Sequence, residues 1–125
     1  MRIFTGYYAL IKTYVDADIY PIPISRYIPK SLAYIGLERY FKLAPSESLL
    51  MKYREHLINE EGYERLFKTE NLDKLNPLEV QDELYDISKG QHIVLLCYES
   101  PEKFCHRHLV SAWFRENKIP CGEFS

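Results

Sequence analysis

The residues best suited to chemistry lie close together near the carboxyl end of the chain. Cys97 and Glu99 end an apolar run that begins at Ile93, and the sequence Cys105-His106-Arg107 begins six residues after Glu99. A thiol can act as a nucleophile, an imidazole or a carboxylate can transfer protons, and a guanidinium can bind phosphate. This grouping predicts a functional site, but it does not define the reaction.

The surrounding pattern predicts a buried strand, a short polar loop and a helix. The run from Ile93 to Cys97 is continuously apolar and bounded by turn-forming residues, which is typical of a strand covered on both faces in a parallel sheet. Residues 100–103 are polar and predict the loop. Leu109, Val110, Trp113 and Phe114 follow helical spacing, so we predict a helix from Cys105 to Glu116.

The start of this helix is the predicted site. In open α/β sheets ligands bind beyond the carboxyl ends of the strands, where free helix amides attract anions and lower the pKa of a thiol. We therefore predict Cys105 as a nucleophile, with His106, His108 or Glu99 as its proton-transfer partner and Cys97 in the same catalytic set. Arg107 is predicted to bind an anion, or else to form a salt bridge with Glu99.

Other interpretations of the cysteines stay open. Cys97, Cys105, His106 and Cys121 could hold zinc, but their spacing fits no standard ligand pattern, and neighbours in a helix point to different faces. We therefore predict neither a metal nor a cofactor. Alternatively the thiols only fill the core, since free cysteine is among the most buried residue types.

A second group of cations follows an apolar segment near the amino terminus. The segment from Asp18 to Ser25 contains two prolines, which predicts an edge strand, and Arg26 and Lys30 come directly after it. Convergence of Arg26 with Arg107 at one sheet edge would suit a phosphorylated ligand. Solvated loop cations are the alternative.

Length and composition predict one folded domain over residues 1–125. The chain is 46% hydrophobic and 27% charged, and its formal charge of −2 gives no overall attraction for nucleic acid. It has no apolar run of about 18 residues and no signal pattern, so we expect no membrane partner. Three cysteines without an export signal indicate reduced thiols in the cytoplasm. Eleven tyrosines predict packing or base stacking.

The remaining patterns predict further strands and helices. We expect a strand over residues 2–10, a helix that begins at Pro45 with an apolar face as far as Ile58, and a helix from Asn76-Pro77 to Lys89-Gly90. Gly62 should interrupt the chain between helical turns, and residues 118–124 should form a last strand. The predicted fold is a small three-layer α/β sandwich with a mostly parallel sheet.

The site residues resemble the signature of the bacterial DUF488 family, a domain of unknown function. That family has an apolar strand ending in C-x-E, followed by C-H-R at the start of a helix. The resemblance implies a small α/β domain and a shared site. The residues implied are Cys97, Glu99, Cys105, His106 and Arg107.

The amino-terminal third carries a weaker resemblance. The segment from Ser25 to Ser31 is similar to the family's D-V-R-x-x-P-x-S segment, with Ile24 in place of the aspartate. The family's opening T-I-G-H-S is reduced to Thr5-Gly6. The resemblance implies that Arg26 lies near the site, and we count Thr5, Gly6 and Lys30 among the predicted ligand-binding residues.

Together these patterns predict a small enzyme-like domain that binds a phosphate-bearing ligand, either a nucleotide or a nucleic acid. The alternative is a module without catalytic activity that binds nucleic acid or a protein partner. The two differ in the role of Cys105, which is essential for turnover in the first and dispensable for binding in the second.

Overall fold

The computed structural model describes residues 1–100 and 103–124, which form a single parallel sheet flanked by helices. Its strands are β1 Ile3–Tyr7, β2 Tyr20–Pro23, β3 Ile93–Cys97 and β4 Cys121–Glu123. They lie in the order β2-β3-β1-β4, and every neighbouring pair is parallel. The predicted parallel sheet is confirmed. The loop predicted for residues 100–103 lies partly outside the described residues.

The helices lie between the strands in the chain. They are α1 Ile11–Asp16, α2 Glu47–Arg54, α3 Glu60–Glu70, α4 Pro77–Ser88 and α5 His106–Glu116. Short 3-10 turns cover Tyr8–Leu10, Lys30–Ile35, Phe41–Leu43 and Leu72–Lys74. Across the described ranges, every helix is too short or too polar to cross a lipid bilayer.

Strand β3 separates two apolar cores because successive side chains on a strand point to opposite faces. Ile93 and Leu95 join the larger core, together with residues of α3, α4 and α5. Val94 and Leu96 join a smaller core that contains Tyr14 of α1. Helices therefore cover both faces of the sheet, and the predicted three-layer α/β sandwich is confirmed.

The prolines of β2 sit where the sheet does not need their missing N–H groups. The amides of Tyr20 and Ile24 donate to the carbonyls of His92 and Leu96 at 2.7 and 3.0 Å. Because alternate residues face the partner strand, the nitrogens of Pro21 and Pro23 point to the open side. β2 lies at the edge of the sheet, as the prolines predicted.

The first predicted strand is too long at its carboxyl end. β1 stops at Tyr7 and the chain turns directly into a 3-10 turn and then α1. Gly6 allows this turn, because a Cβ atom there would lie 2.4 Å from the phenol oxygen of Tyr14. The same oxygen accepts from the Tyr7 amide at 3.2 Å, which ties the end of the strand to α1.

Several other boundaries also differ from the predictions. α2 ends at Arg54, and His56 adopts a left-handed φ of 59°, so the predicted continuation of the apolar face to Ile58 is wrong. Gly62 does not interrupt a helix, because Asn59 caps α3 by accepting from the Gly62 amide at 2.8 Å. The cap of α4 by Asn76 is confirmed.

Candidate functional site

Cys97, Cys105 and His106 converge at the carboxyl end of the sheet. Cys97 is the last residue of β3, and Cys105 is the N-cap of α5, with an extended backbone at φ −155° and ψ 142°. Because Cys105 precedes the helix, its side chain is free to point the same way as that of His106, the first helical residue. The two sulfurs and one imidazole nitrogen all lie within 4.8 Å of one another.

The hydrogen bonds of His106 fix the role of each ring nitrogen. Nε2 lies 2.8 Å from the carbonyl oxygen of Ile24, which can only accept, so Nε2 carries a proton. In the neutral ring Nδ1 therefore has a free lone pair, which faces Cys97 Sγ at 3.4 Å. The ring of Phe67 packs edge-on against the imidazole at 5.4 Å and holds its orientation.

The environment makes the two neighbouring thiols differ. Donation from the Cys97 thiol lowers the pKa of Cys105 far below its usual range, and His106 and the backbone amide of Arg107 act in the same direction. The pKa of Cys97 is raised, first because Cys97 serves as that donor and second because of burial. The pair therefore favours a thiolate at Cys105 and a thiol at Cys97.

A cleft of about 390 Å³ opens above these three residues. Cys97, Cys105 and His106 lie at its base, and most of its wall is aromatic or aliphatic. Three charged side chains, those of Arg26, Arg54 and Glu99, also line it. The other lining residues are Ser25, Tyr27, Pro45, Leu50, Tyr53, Tyr63, Tyr98 and Phe104. Such a cleft suits a small ligand with a flat apolar part and a charged group.

The aromatic wall is built from α2, α3 and the segment before α5. Phe104 packs edge-on against Tyr63 at 5.1 Å and tilted against Tyr53 at 5.4 Å. Tyr53 and Tyr63 also contact each other, at 5.3 Å between ring centroids. This three-ring cluster holds the residue before Cys105 and therefore fixes the entrance to α5.

Arg107 is buried and does not line the cleft. Its guanidinium is fully buried and donates to both carboxylate oxygens of Glu123, at 3.1 and 3.0 Å. It also donates to the backbone carbonyl of Glu99 at 2.5 Å. The predicted salt bridge with the Glu99 carboxylate is therefore wrong, because β4 supplies the carboxylate and Glu99 supplies only its main chain.

Three of the other predicted ligand-binding residues, Thr5, Gly6 and Lys30, do not line the cleft. Thr5 is buried and donates to Glu123 at 2.7 Å, so it belongs to the Arg107 network. Gly6 faces Tyr14, and Lys30 is exposed. The cleft lining includes Arg26 but neither these three residues nor Arg107. Ligand contact by them stays a prediction.

The remaining candidates, Cys121 and His108, do not line the cleft. Cys121 lies in β4, and its backbone carbonyl accepts from Ser111 at 3.0 Å. Within the described residues, His108 Nε2 is buried without a hydrogen-bond partner, but His108 does not line the cleft. The proton-transfer candidates that do line it are His106 and Glu99.

The sequence analysis missed Arg54 and the aromatic wall. Arg54 ends α2, and Tyr53 beside it looked like an ordinary core position of an amphipathic helix. The number of tyrosines was the available signal, since four of the eleven line the cleft. Their convergence depends on how α2 and α3 pack over the sheet, which no local pattern encodes.

Of three comparisons with known proteins, one gave a match. A search of curated proteins gave no match, and a search of solved structures gave none either. A family model named DUF488-N3a and described as the active DUF488-N3 subclade matches residues 9–118, which is most of the chain. The match covers every residue that lines the cleft, and the chain belongs to the DUF488 family.

Proposed function

We propose that this protein is a cysteine-dependent enzyme that binds a phosphate-bearing ligand, a nucleotide or the end of a nucleic acid. The observation that carries the proposal is the position of Cys105, at the base of an aromatic cleft with arginines in its lining. The family model supports it, because its description calls the subclade active. Reduced thiols, as in a cytoplasm, would be required.

Cys105 is the proposed nucleophile. It faces the cleft, and its thiolate is stabilised by the Cys97 thiol, by the neighbouring His106 and by a backbone amide at the start of α5. A thiolate is far more nucleophilic than a thiol, so stabilising it prepares the site for attack. Cys97 and His106 support the thiolate, and neither needs to touch the ligand.

The lining of the cleft supports a ligand with a planar group and an anionic group. Tyr27, Tyr98 and Phe104 offer ring surfaces for stacking, and Arg26 and Arg54 offer two cations for a phosphate. A volume of about 390 Å³ lies within the range of small-molecule sites. The protein as a whole is slightly acidic, so these local cations would provide the attraction.

Glu99 is the proposed proton acceptor in the second half of the reaction. In the first half, Cys105 Sγ would form a bond to an electrophilic carbon of the ligand, and the leaving group would depart with its bonding electrons. In the second half, a water molecule would give a proton to the Glu99 carboxylate and attack the same carbon, which releases the thiolate. Glu99 lines the cleft and its side chain is exposed, so it can meet that water.

Ligand binding tests the phosphate part of the proposal. The four ribonucleoside monophosphates and their phosphate-free nucleosides would be titrated against the chelator-treated protein. We expect monophosphates to bind and nucleosides to bind at least about tenfold more weakly, since hydrogen bonds to charged groups contribute about 1.5–3 kcal/mol. Arg26→Ala should remove the difference, and Arg65→Ala, which changes an exposed arginine of α3, should not.

Turnover tests the catalytic part. The same panel and short oligonucleotides would be incubated with the protein, and the products would be followed by mass spectrometry. Cys105→Ser should keep ligand affinity and abolish both product and any covalent adduct, whereas Cys121→Ser should keep all three. Equal affinity for monophosphates and nucleosides would contradict the ligand class, and turnover by Cys105→Ser would contradict the nucleophile.

A second candidate function has one observation in its favour. A hollow of about 490 Å³ adjoins the cleft and shares Leu50, Tyr53 and Arg54 with it, which extends the surface that a single strand could follow beyond the cleft. A binding module without catalysis would bind oligonucleotides with steep salt dependence. It would bind equally well as Cys105→Ser and would yield no product with any ligand.

A further inference from the structure

We propose that Cys97, Cys105 and His106 bind one zinc ion at the base of the cleft, and that this ion blocks the Cys105 thiol. The site is separate from the phosphate-binding side chains in the lining of the cleft. Binding of the ion stands on geometry alone. Only its effect as an inhibitor rests on the function proposed above.

The three side chains have the spacing of zinc ligands. Zinc–sulfur bonds of about 2.3 Å and zinc–nitrogen bonds of about 2.0–2.1 Å give a tetrahedron with edges of about 3.5–3.8 Å. Cys97 Sγ and His106 Nδ1 are already 3.4 Å apart, and all three ligand atoms lie within 4.8 Å of one another. Small side-chain rotations bring them to one ion.

The orientation of His106 favours a metal. A histidine that ligates zinc usually donates its other ring N–H to a carbonyl or carboxylate, which leaves the first nitrogen free for the ion. Here Nε2 faces the carbonyl of Ile24 at 2.8 Å, and Nδ1 points at the sulfur of Cys97. The ring is held in the tautomer that zinc binding needs before any ion arrives.

The charges also match. The charges of two thiolates and one Zn²⁺ ion sum to zero. A loaded site therefore places no net charge among these buried residues. Sulfur and imidazole ligands suit zinc better than magnesium or calcium, which prefer oxygen ligands. Arg107, which lies next to the cluster, is already neutralised by Glu123 at 3.0 Å.

The fourth coordination position faces the cleft. The protein supplies three ligands, and the cleft opens above them, so a water molecule or an anion from solution can complete the tetrahedron. With the ion bound, the sulfur of Cys105 shares its lone pair with zinc and is no longer available for attack. Zinc would therefore inhibit the proposed reaction reversibly.

Cobalt substitution tests the site with a direct readout. Chelator-treated, reduced protein would be titrated with Co²⁺, followed by thiolate-to-cobalt charge-transfer absorption, and then with Zn²⁺. We expect one Co²⁺ per chain, displaced by one Zn²⁺. Cys121→Ser should bind like the wild type, whereas Cys97→Ser and Cys105→Ser should bind at least tenfold more weakly. Serine is a favourable N-cap, so Cys105→Ser should fold.

The outcomes separate the two proposals. Absence of the charge-transfer band in the wild type, or its loss in Cys121→Ser but not in Cys105→Ser, would overturn the metal site. If the band forms but Zn²⁺ leaves alkylation of Cys105 by iodoacetamide unchanged, the inhibitory effect is overturned. Ligand binding and turnover are measured in chelator, so their failure contradicts only the enzyme proposal.

Discussion

Replacing Glu123 by alanine should destabilise the protein much more than the loss of an ordinary salt bridge. Glu123 is the carboxylate partner of Arg107, whose side chain is 0% exposed, while that of Glu123 is 24% exposed. Removing one partner of a buried ion pair costs about 3–5 kcal/mol. Because Glu123 is partly solvated, we expect Glu123→Ala to lower the free energy of unfolding by about 3 kcal/mol, the lower end of that range. Thr5 also loses its acceptor.

Urea unfolding of the variant and of a matched control measures this loss. In the control, Asp73→Ala removes the ion pair with Lys68. The side chains of Lys68 and Asp73 are 65% and 50% exposed, so we expect the free energy of unfolding to fall by only about 0–1 kcal/mol. For a chain of this size, about 3 kcal/mol corresponds to a melting temperature lower by about 10 °C. Equal losses in Glu123→Ala and Asp73→Ala would refute the burial argument.

Three further changes test the structure around the site. Gly6→Ala should cost about 1–3 kcal/mol in unfolding free energy, because its Cβ would lie 2.4 Å from Tyr14, whereas Gly122→Ala, with open space around it, should cost far less. Asn76→Ala should cost about 1 kcal/mol in the same assay, because the side chain accepts from two amides at the start of α4, and no loss would contradict the cap. Tyr8→Phe should lower the free energy of unfolding by about 1 kcal/mol, because the Tyr8 hydroxyl forms a 2.5 Å hydrogen bond with the hydroxyl of buried Ser25 beside the cleft. An unchanged melting temperature would contradict that role.

The features of the fold that could be predicted from the sequence are those set by local patterns. The continuous apolar run from Ile93 to Cys97 predicted a strand covered on both faces, and the structure confirms it. The prolines before Arg26 predicted an edge strand, since they cannot donate to a neighbour on both sides. Asn76 predicted the start of α4, because its side chain caps free amides.

The partner of Arg107 could not be predicted from the sequence. A cation at the amino end of a helix requires an anion, and Glu99, just after the predicted strand, was the candidate chosen from the sequence. The actual partner, Glu123, pairs with Thr5 in the register of β4 with β1, so it depends on the strand order. The order of parallel strands is a long-range property, and local spacing does not contain it.

The expectation that Cys105 and His106 point to different faces was wrong for a local reason. Neighbouring helix residues point to different faces, which seemed to separate Cys105 from His106. The helix starts one residue later than predicted, and the extended backbone of Cys105 turns its sulfur toward His106 and Cys97. A shift of one residue in a helix boundary therefore changes which ligands can converge.

The most direct test of the account is the rate at which each cysteine reacts with iodoacetamide as a function of pH. Native, metal-free protein would be alkylated in chelator, and peptide mass spectrometry would resolve the three cysteines. We predict that Cys105 reacts with an apparent pKa well below the free value of about 8.5. Cys97 and Cys121, whose pKa values are raised, should stay unreactive near neutral pH. If Cys105 reacts only after denaturation, or with a pKa at or above that of a free thiol, the nucleophile at the base of the cleft is contradicted.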